Sequence, residues 1–271
     1  MAMHRFLLVA ALLASAFAIP GMAAAEDAAN DHGPVIEAQE WSFAPPFGGY
    51  KQGQLQRGYR VYKDICANCQ SMRFLSFRNL AEVGGPHFSP AAVETLASQV
   101  QVTDGPDAKG EMFQRPGRPS DRFPSRFAND EAARAANNGA LPPDLSLMAK
   151  ARAGGADYLY ALLTGYQQAP ADFEMTQGMQ YNRAFAGHQF AMPNPLVDGI
   201  IPYTDGTEPT VDNYARDVSA FMMWAAEPTL EERHKVGLRV MIFLFVFAFI
   251  MFLAKRAVWE RLHRRDHNHT A

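Results

Sequence analysis

Residues 240–254 (VMIFLFVFAFIMFLA) carry no charge, and Lys255, Arg256, Arg261, Arg264 and Arg265 follow them. No other feature constrains the chain as tightly. In lipid, such a run satisfies its backbone only as a helix. Extended back to 236 it contains 19 residues, about 28 Å of helix and enough to cross the hydrocarbon. Arg239 lies within a turn of the entry and can snorkel to the interface. The basic cluster behind the span is the positive-inside pattern, so residues 236–254 are predicted to cross the membrane with 255–271 as a cytoplasmic basic tail. The body before the span is then extracytoplasmic.

The other end supports export. His4 and Arg5 precede an uncharged run at 6–19 that is too short to span, Pro20-Gly21 breaks it, and Ala23-Ala24-Ala25 leads into Glu26-Asp27. Residues 1–25 read as a signal peptide and 26–235 as the mature extracytoplasmic domain. That body holds 18 Lys+Arg against 26 Asp+Glu, a net charge of −8. A nucleic-acid footprint would be basic, so no nucleic-acid partner is expected. The acidic body suits a cationic partner outside and the basic tail an anionic membrane face inside.

Within the body, apolar residues recur at helical spacing. Leu55, Tyr59, Tyr62, Cys66 and Cys69 are spaced 4, 3, 4 and 3, which predicts one helical face ending in both cysteines. Further helices are predicted from Asp157 to a stop at Gly165, and from a Thr210 cap to a stop before Pro228. Residues 105–124 and 193–209 read as loop. Strand-type alternation is absent. The expectation is a mostly α domain with long loops, organised by something besides its own side chains.

The two cysteines both lie in Cys66-Ala67-Asn68-Cys69, too few for a disulfide scaffold or a four-cysteine zinc site. Three readings stay open on this tetrapeptide alone. A catalytic dithiol would want a βαβ context, which is not visible. A disulfide across so small a loop would add little stability. Covalent haem attachment sets two thiols about one turn apart against two vinyl groups, but that motif normally ends in His, and here Gln70 follows.

The wider sequence adds to this. CANCQSMRFLSFRNL, DGPDAKGEMFQRPGRPSDRFPSRFAND, EAARAANNGALPPDLSLMAKARAGGADYLYALLTGY, QFAMPNPL and VSAFMMWAAEP occur in this order before one C-terminal anchor. Together they resemble the cytochrome c1 family, the haem c subunits of the cytochrome bc1 complex, over nearly all of 40–262. The resemblance implies a mostly α, cytochrome c-type haem domain with long loops plus one C-terminal transmembrane helix. It implies one covalent haem c on Cys66 and Cys69, with Met192 as an axial ligand to the iron. Asn137, Pro142, Pro143, Arg152 and Tyr158 would line the ring, and Arg152 would face a propionate.

The family places His where this chain has Gln70. An amide has no basic nitrogen lone pair and its carbonyl oxygen is a weak donor, so Gln70 is a poor substitute for imidazole. His188, four residues before Met192, and His87, in GGPHFSP, are the histidines weighed as replacements.

The resemblance further implies an electron carrier without acid/base chemistry of its own, acting within ubiquinol–cytochrome c reductase. Its partners would be cytochrome b, the Rieske iron–sulfur protein, cytochrome c and the membrane, in a dimeric complex. The haem domain would sit in the periplasm and the single span in the inner membrane. The rivals are a non-redox structural subunit with a decayed haem site and a membrane-tethered CxxC dithiol oxidoreductase.

Overall fold

The computed structural model describes residues 34–269; the signal peptide expected at 1–25 lies outside them. Among the described residues the architecture is mostly helical, with two small antiparallel hairpins. It opens with a strap. Gln39 and Trp41 donate to the Asp157 carboxylate, and the Tyr50 amide donates to Glu231 Oε1 at 2.9 Å.

Helix α1, Gln52–Asp64, buries Leu55, Tyr59, Val61 and Tyr62. It packs on the later helix α6, Val211–Ala226, whose Tyr214, Phe221 and Trp224 are fully enclosed. Tyr59 and Tyr62 stack and tilt against Phe221 and Phe123 at centroid distances of 5.8–6.0 Å. Burying each such ring contributes about 2–3 kcal/mol before geometry is counted. The helices approach closely because residue 58 is glycine: a Cβ there would come within 2.7 Å of Phe221 Cβ and collide with the Asp217 carbonyl. At the same crossing, Arg57 holds buried Asp217 bidentately at 2.7 and 3.0 Å, and the Tyr203 hydroxyl donates to the same carboxylate at 2.8 Å.

The cysteines leave this helix earlier than their spacing predicts. The α-helix stops at Asp64, Cys66–Asn68 form a 3₁₀ turn, and Cys69 follows it. The stop is chemical. Asn68 Nδ2 donates to the carbonyls of Asp64 and Ile65 at 3.1 and 3.2 Å, satisfying groups that a continuing helix would bond itself.

A second 3₁₀ segment, Phe77–Ala81, leads to helix α2, Pro90–Ser98, capped by Ser89. Strands β1, Gln101–Asp104, and β2, Phe113–Pro116, then pair antiparallel with Gln101 opposite Pro116. Part of the predicted 105–124 loop is therefore strand. Arg115 ties this hairpin, bonding Asp104 on one side and Asp121 bidentately at 2.6 and 3.0 Å on the other.

Helix α3, Asp130–Ala136, has an Asn129 cap and two acids in its first turn, a favourable start for the macrodipole. A short turn of helix, α4 (Met148–Ala151), precedes α5, Gly155–Thr164. Helix α5 ends before Gly165 as its sequence predicts, and starts two residues early. Strands β3, Gln180–Tyr181, and β4, Gln189–Phe190, form the second hairpin. Helix α6 begins after Thr210, whose hydroxyl accepts from the Asn213 amide at 3.3 Å, and ends at Ala226, as expected.

Helix α7 runs unbroken over Leu230–His269, about 60 Å at the helical rise. Its apolar stretch within Leu230–Glu260 buries nothing against the rest of the chain. By length and composition it fits a single membrane anchor. At its base Glu227 bridges Lys150 of α4 and Arg233 of α7, which fastens the anchor to the body.

Candidate functional site

One cavity of about 500 Å³ opens between the end of α1, the loop after α3, helix α5 and the segment after β4. That size is ordinary for a cofactor site. Cys66, Cys69, Gln70, Asn137, Pro142, Pro143, Arg152, Tyr158 and Met192 all line it. Every residue nominated from the sequence therefore stands on one wall or another of the same space. Ile65, Leu145, Leu159, Leu162, Phe190 and Met222 make most of the remaining wall apolar.

Each wall has a local cause. The 3₁₀ turn turns Cys66 and Cys69 towards the opening, and both are free thiols. Asn137 is fixed by donating from Nδ2 to the Ala133 carbonyl at 2.7 Å, closing α3. Arg152 ends α4 and makes no side-chain hydrogen bond or ion pair with the described residues, so its fork of donors is free for an acid group in the cavity. Tyr158 stands close enough to feel that guanidinium: burial pushes its hydroxyl pKa up, and Arg152 opposes the shift.

Met192 is held by residues that the sequence reading did not single out. The Tyr166 hydroxyl donates to the carbonyls of Met192 and Pro193 at 3.1 and 3.3 Å. Fully buried Asn182 donates to the Leu162 carbonyl at 2.8 Å and accepts from the Ala184 amide at 2.9 Å, locking the β3–β4 hairpin that delivers Met192. Gly165 is required beside it, because a Cβ there would stand 2.8 Å from Asn182 Oδ1. Tyr166 closes the LLTGY block, its one signal in the sequence.

Position 70 is the exception chemically. Gln70 Nε2 lies 3.5 Å from the Met192 sulfur, so the amide contacts the thioether directly. No histidine among the described residues lines this space. His188 turns Nδ1 to the Asn182 carbonyl at 3.3 Å and stacks on Tyr181 at 5.7 Å. His87 is excluded by distance. Its carbonyl accepts from Gln52 at the start of α1, whereas Gln70 follows the far end of that 13-residue helix, about 20 Å along the axis. The replacement considered for His87 therefore fails on geometry.

The lining tests two of the chemical readings. Burial pushes the Cys66 thiol up to about 12, which makes it a poor nucleophile at neutral pH and argues against a catalytic dithiol. Among the described residues no group of three or more His, Cys, Asp or Glu side chains could chelate a bare metal ion. Two thiols, a thioether, a guanidinium without a partner among the described residues and an apolar wall instead suit a flat, acid-bearing macrocycle. The donor set fits a porphyrin in attachment, lining and one axial position. Gln70 does not fit as the second axial donor.

Comparison with known proteins gives the same direction. A family model described as the Cytochrome C1 family matches residues 41–262. Cytochrome c1 of Rhodospirillum rubrum is 44% identical over 248 residues, covering 86% of this chain and 90% of that protein. Cytochrome c1 of Blastochloris viridis is 41% identical over 269 residues, covering 92% and 95%. A protein named cytochrome b/c1, from Bradyrhizobium diazoefficiens, is 45% identical over 87% of this chain; the chain spans 37% of that relative's length.

Proposed function

Because this chain belongs to the cytochrome c1 family, we propose that its cavity holds one haem c and passes electrons from the Rieske iron–sulfur protein to cytochrome c within the cytochrome bc1 complex. Members of the family carry haem c covalently and serve that complex as electron-transfer subunits. The observation that carries the reading is the convergence of both thiols, Met192 and Arg152 on one largely apolar cavity.

Bound haem supplies reversible one-electron chemistry at its iron. The chain's own work is placement. Cys66 and Cys69 would tether the ring, and Met192, fixed by Tyr166 and Asn182, would present its sulfur on one face. Arg152 would pair with a propionate. The wall of Leu, Ile, Phe and Met side chains would keep water off the ring, a setting that favours the less charged state. No group in the chain has to move a proton.

Cytochrome b and the Rieske protein are the neighbours in a complex we take to be dimeric. Helix α7 would span the inner membrane once, at about 236–254. The Lys and Arg cluster behind it supports a periplasmic haem domain and a cytoplasmic tail. Protease added to spheroplasts should then digest the body and spare the tail; cleavage of the tail instead would reverse the orientation.

Gln70 favours one second reading, a structural subunit of the same complex whose haem site has decayed. A haem-stained denaturing gel of the membrane fraction separates the two. Covalent stain at the mass of this chain supports the electron carrier. A chain present without stain supports the structural subunit.

A further inference from the structure

The cavity has two walls that belong to different stretches of chain, and one carboxylate joins them. Asp144 lies just after Pro142 and Pro143. Its Oδ2 accepts from the Ser71 hydroxyl at 2.8 Å, from the Arg73 amide at 2.9 Å and from Arg73 Nε at 3.3 Å. Its Oδ1 accepts from the Ser146 amide at 2.9 Å, within its own loop. Two further bonds run alongside: the Leu145 amide donates to the Ser71 carbonyl at 2.8 Å, and the Phe74 amide donates to Ser146 Oγ at 3.1 Å. Ser146 is fully buried and the Asp144 side chain is 16% exposed, so this is an interior joint.

We propose that Asp144 is a positioning residue for the cavity, setting the Cys69–Gln70 wall against the Pro142–Pro143 wall. The proposal rests on the haem reading and names a residue that braces the cavity without lining it. Only a short carboxylate does this job. One oxygen serves the 71–73 segment and the other serves Ser146, and every partner is a donor. Asparagine offers one acceptor and one N–H₂, so whichever way it turns, a donor meets a donor. Glutamate is one methylene too long for both sets. The group is also held ionised. Burial pushes its carboxyl up, but bonds from Ser146, Arg73 and Ser71 outweigh that and keep it below the ordinary range.

The experiment uses the full chain in membranes, as the parent and as Asp144→Asn, Ser71→Ala and Asp121→Asn. Asp121 is bonded to a comparable degree but joins the β1–β2 hairpin rather than the two cavity walls, so its variant reports general loss of stability. The first readout is hydrogen exchange over 70–75 and 140–146. Asp144→Asn should speed exchange there tenfold or more, Ser71→Ala should do so by less, and Asp121→Asn should leave both segments near the parent. The second readout is the ratio of reduced to oxidised haem at a fixed ambient potential. Asp144→Asn should change it about tenfold, and Ser71→Ala, which removes no charge, should move it the same way by less.

Faster exchange with an unchanged haem ratio would reduce Asp144 to a structural role and overturn the proposal. A ratio that moves in Asp144→Asn but stays fixed in Ser71→Ala would assign the effect to charge, with the same consequence. A parent chain without stainable haem fails the electron-carrier reading instead. The joint is then tested by exchange, where parent-like rates in Asp144→Asn sink it, and by the same haem ratio in a Gln70→His background, where an unchanged ratio sinks it and a shifted one upholds it.

Discussion

Gln70 donates its amide N–H towards the Met192 sulfur at 3.5 Å, a direct contact between two residues that line the cavity. The contact pairs a strong donor with a weak acceptor and is worth little by itself. Its significance is where it falls. Met192 is held from behind by Tyr166 and the Asn182-locked hairpin, and Gln70 from behind by the joint at Asp144. Both backbones are therefore constrained, and the side chain at 70 occupies the place that faces the sulfur. The position that the family resemblance gives to a second axial ligand thus has a constrained backbone and a side chain that is a poor donor.

Gly58→Ala should destabilise the body. Alanine gains about 1 kcal/mol of helix propensity over glycine. Against that, the new Cβ meets the Asp217 carbonyl and Phe221 Cβ at the α1–α6 crossing, and overpacking of this kind costs about 1–3 kcal/mol or more when backbone must move. Because the crossing also carries the Arg57–Asp217 pair, the net loss should reach about 2 kcal/mol, several degrees in Tm. Thermal unfolding followed by far-UV dichroism tests this; an unchanged Tm would mean that the helices separate freely.

Acid should loosen the β1–β2 hairpin before it unfolds the core. The bidentate Arg115 guanidinium, helped by the Arg118 amide, holds the Asp121 carboxyl down to about 2. Its folded value lies below the ordinary value of about 3.9. The stability it contributes is thus fully present above about pH 4 and is lost as pH falls from about 4 towards 2. No loss is expected on the alkaline side. Proteolysis within 105–112 should rise over that acid window in the parent, and Asp121→Asn should already be labile at neutral pH with a flatter profile. A parent profile flat down to pH 2 would disprove the assignment.

How much of this could be read from residues alone depended on the reach of each interaction. Helix α6 was legible because its Thr210 cap, its apolar face (Val211, Tyr214, Val218, Phe221 and Ala225, spaced 3, 4, 3 and 4) and the proline that stops it are all local. The face of α1 was legible too, but its end was not. The 4-3-4-3 spacing runs on through Cys66 and Cys69, whereas Asn68 turns its side chain back to cap the helix at Asp64. The hairpins escaped notice because strands of two and four residues are too short to show alternation. The lining of the cavity came from family resemblance. Asp144 and Asn182 went unseen because their work is to bond chain 73 and 20 residues away, and no local pattern marks that.

Docking of a basic cytochrome c should depend on salt. With a net charge of −8 over residues 26–235, the body attracts a cation at long range. That field is screened once the Debye length falls to about 10 Å, near 0.1 M salt. The second-order rate of electron transfer to the acceptor should fall steeply as ionic strength rises through this range, while the rate within a preformed complex stays level. A bimolecular rate indifferent to salt would remove the steering argument and leave family membership untouched.

The last prediction is the substitution Gln70→His. As the chain stands, both thiols are free to form thioethers, yet beside them only the Met192 sulfur among the lining residues is a recognised iron ligand, and no described histidine lines the cavity. A thioether alone is a weak ligand for ferric haem, and the high potential of His/Met cytochromes requires the imidazole. The parent should therefore hold its covalent haem with a high-spin ferric spectrum and a lowered potential. Histidine at 70 would inherit a backbone already braced by Ser71 and Asp144 and an opposing sulfur already placed by Tyr166. It should give a low-spin spectrum, a raised potential and faster quinol-dependent reduction of cytochrome c without further change. An optical spectrum of the purified parent and of Gln70→His decides the matter. A low-spin, methionine-ligated parent with the potential of its histidine variant would show that position 70 does not control the iron, and would refute the ligand argument at its base.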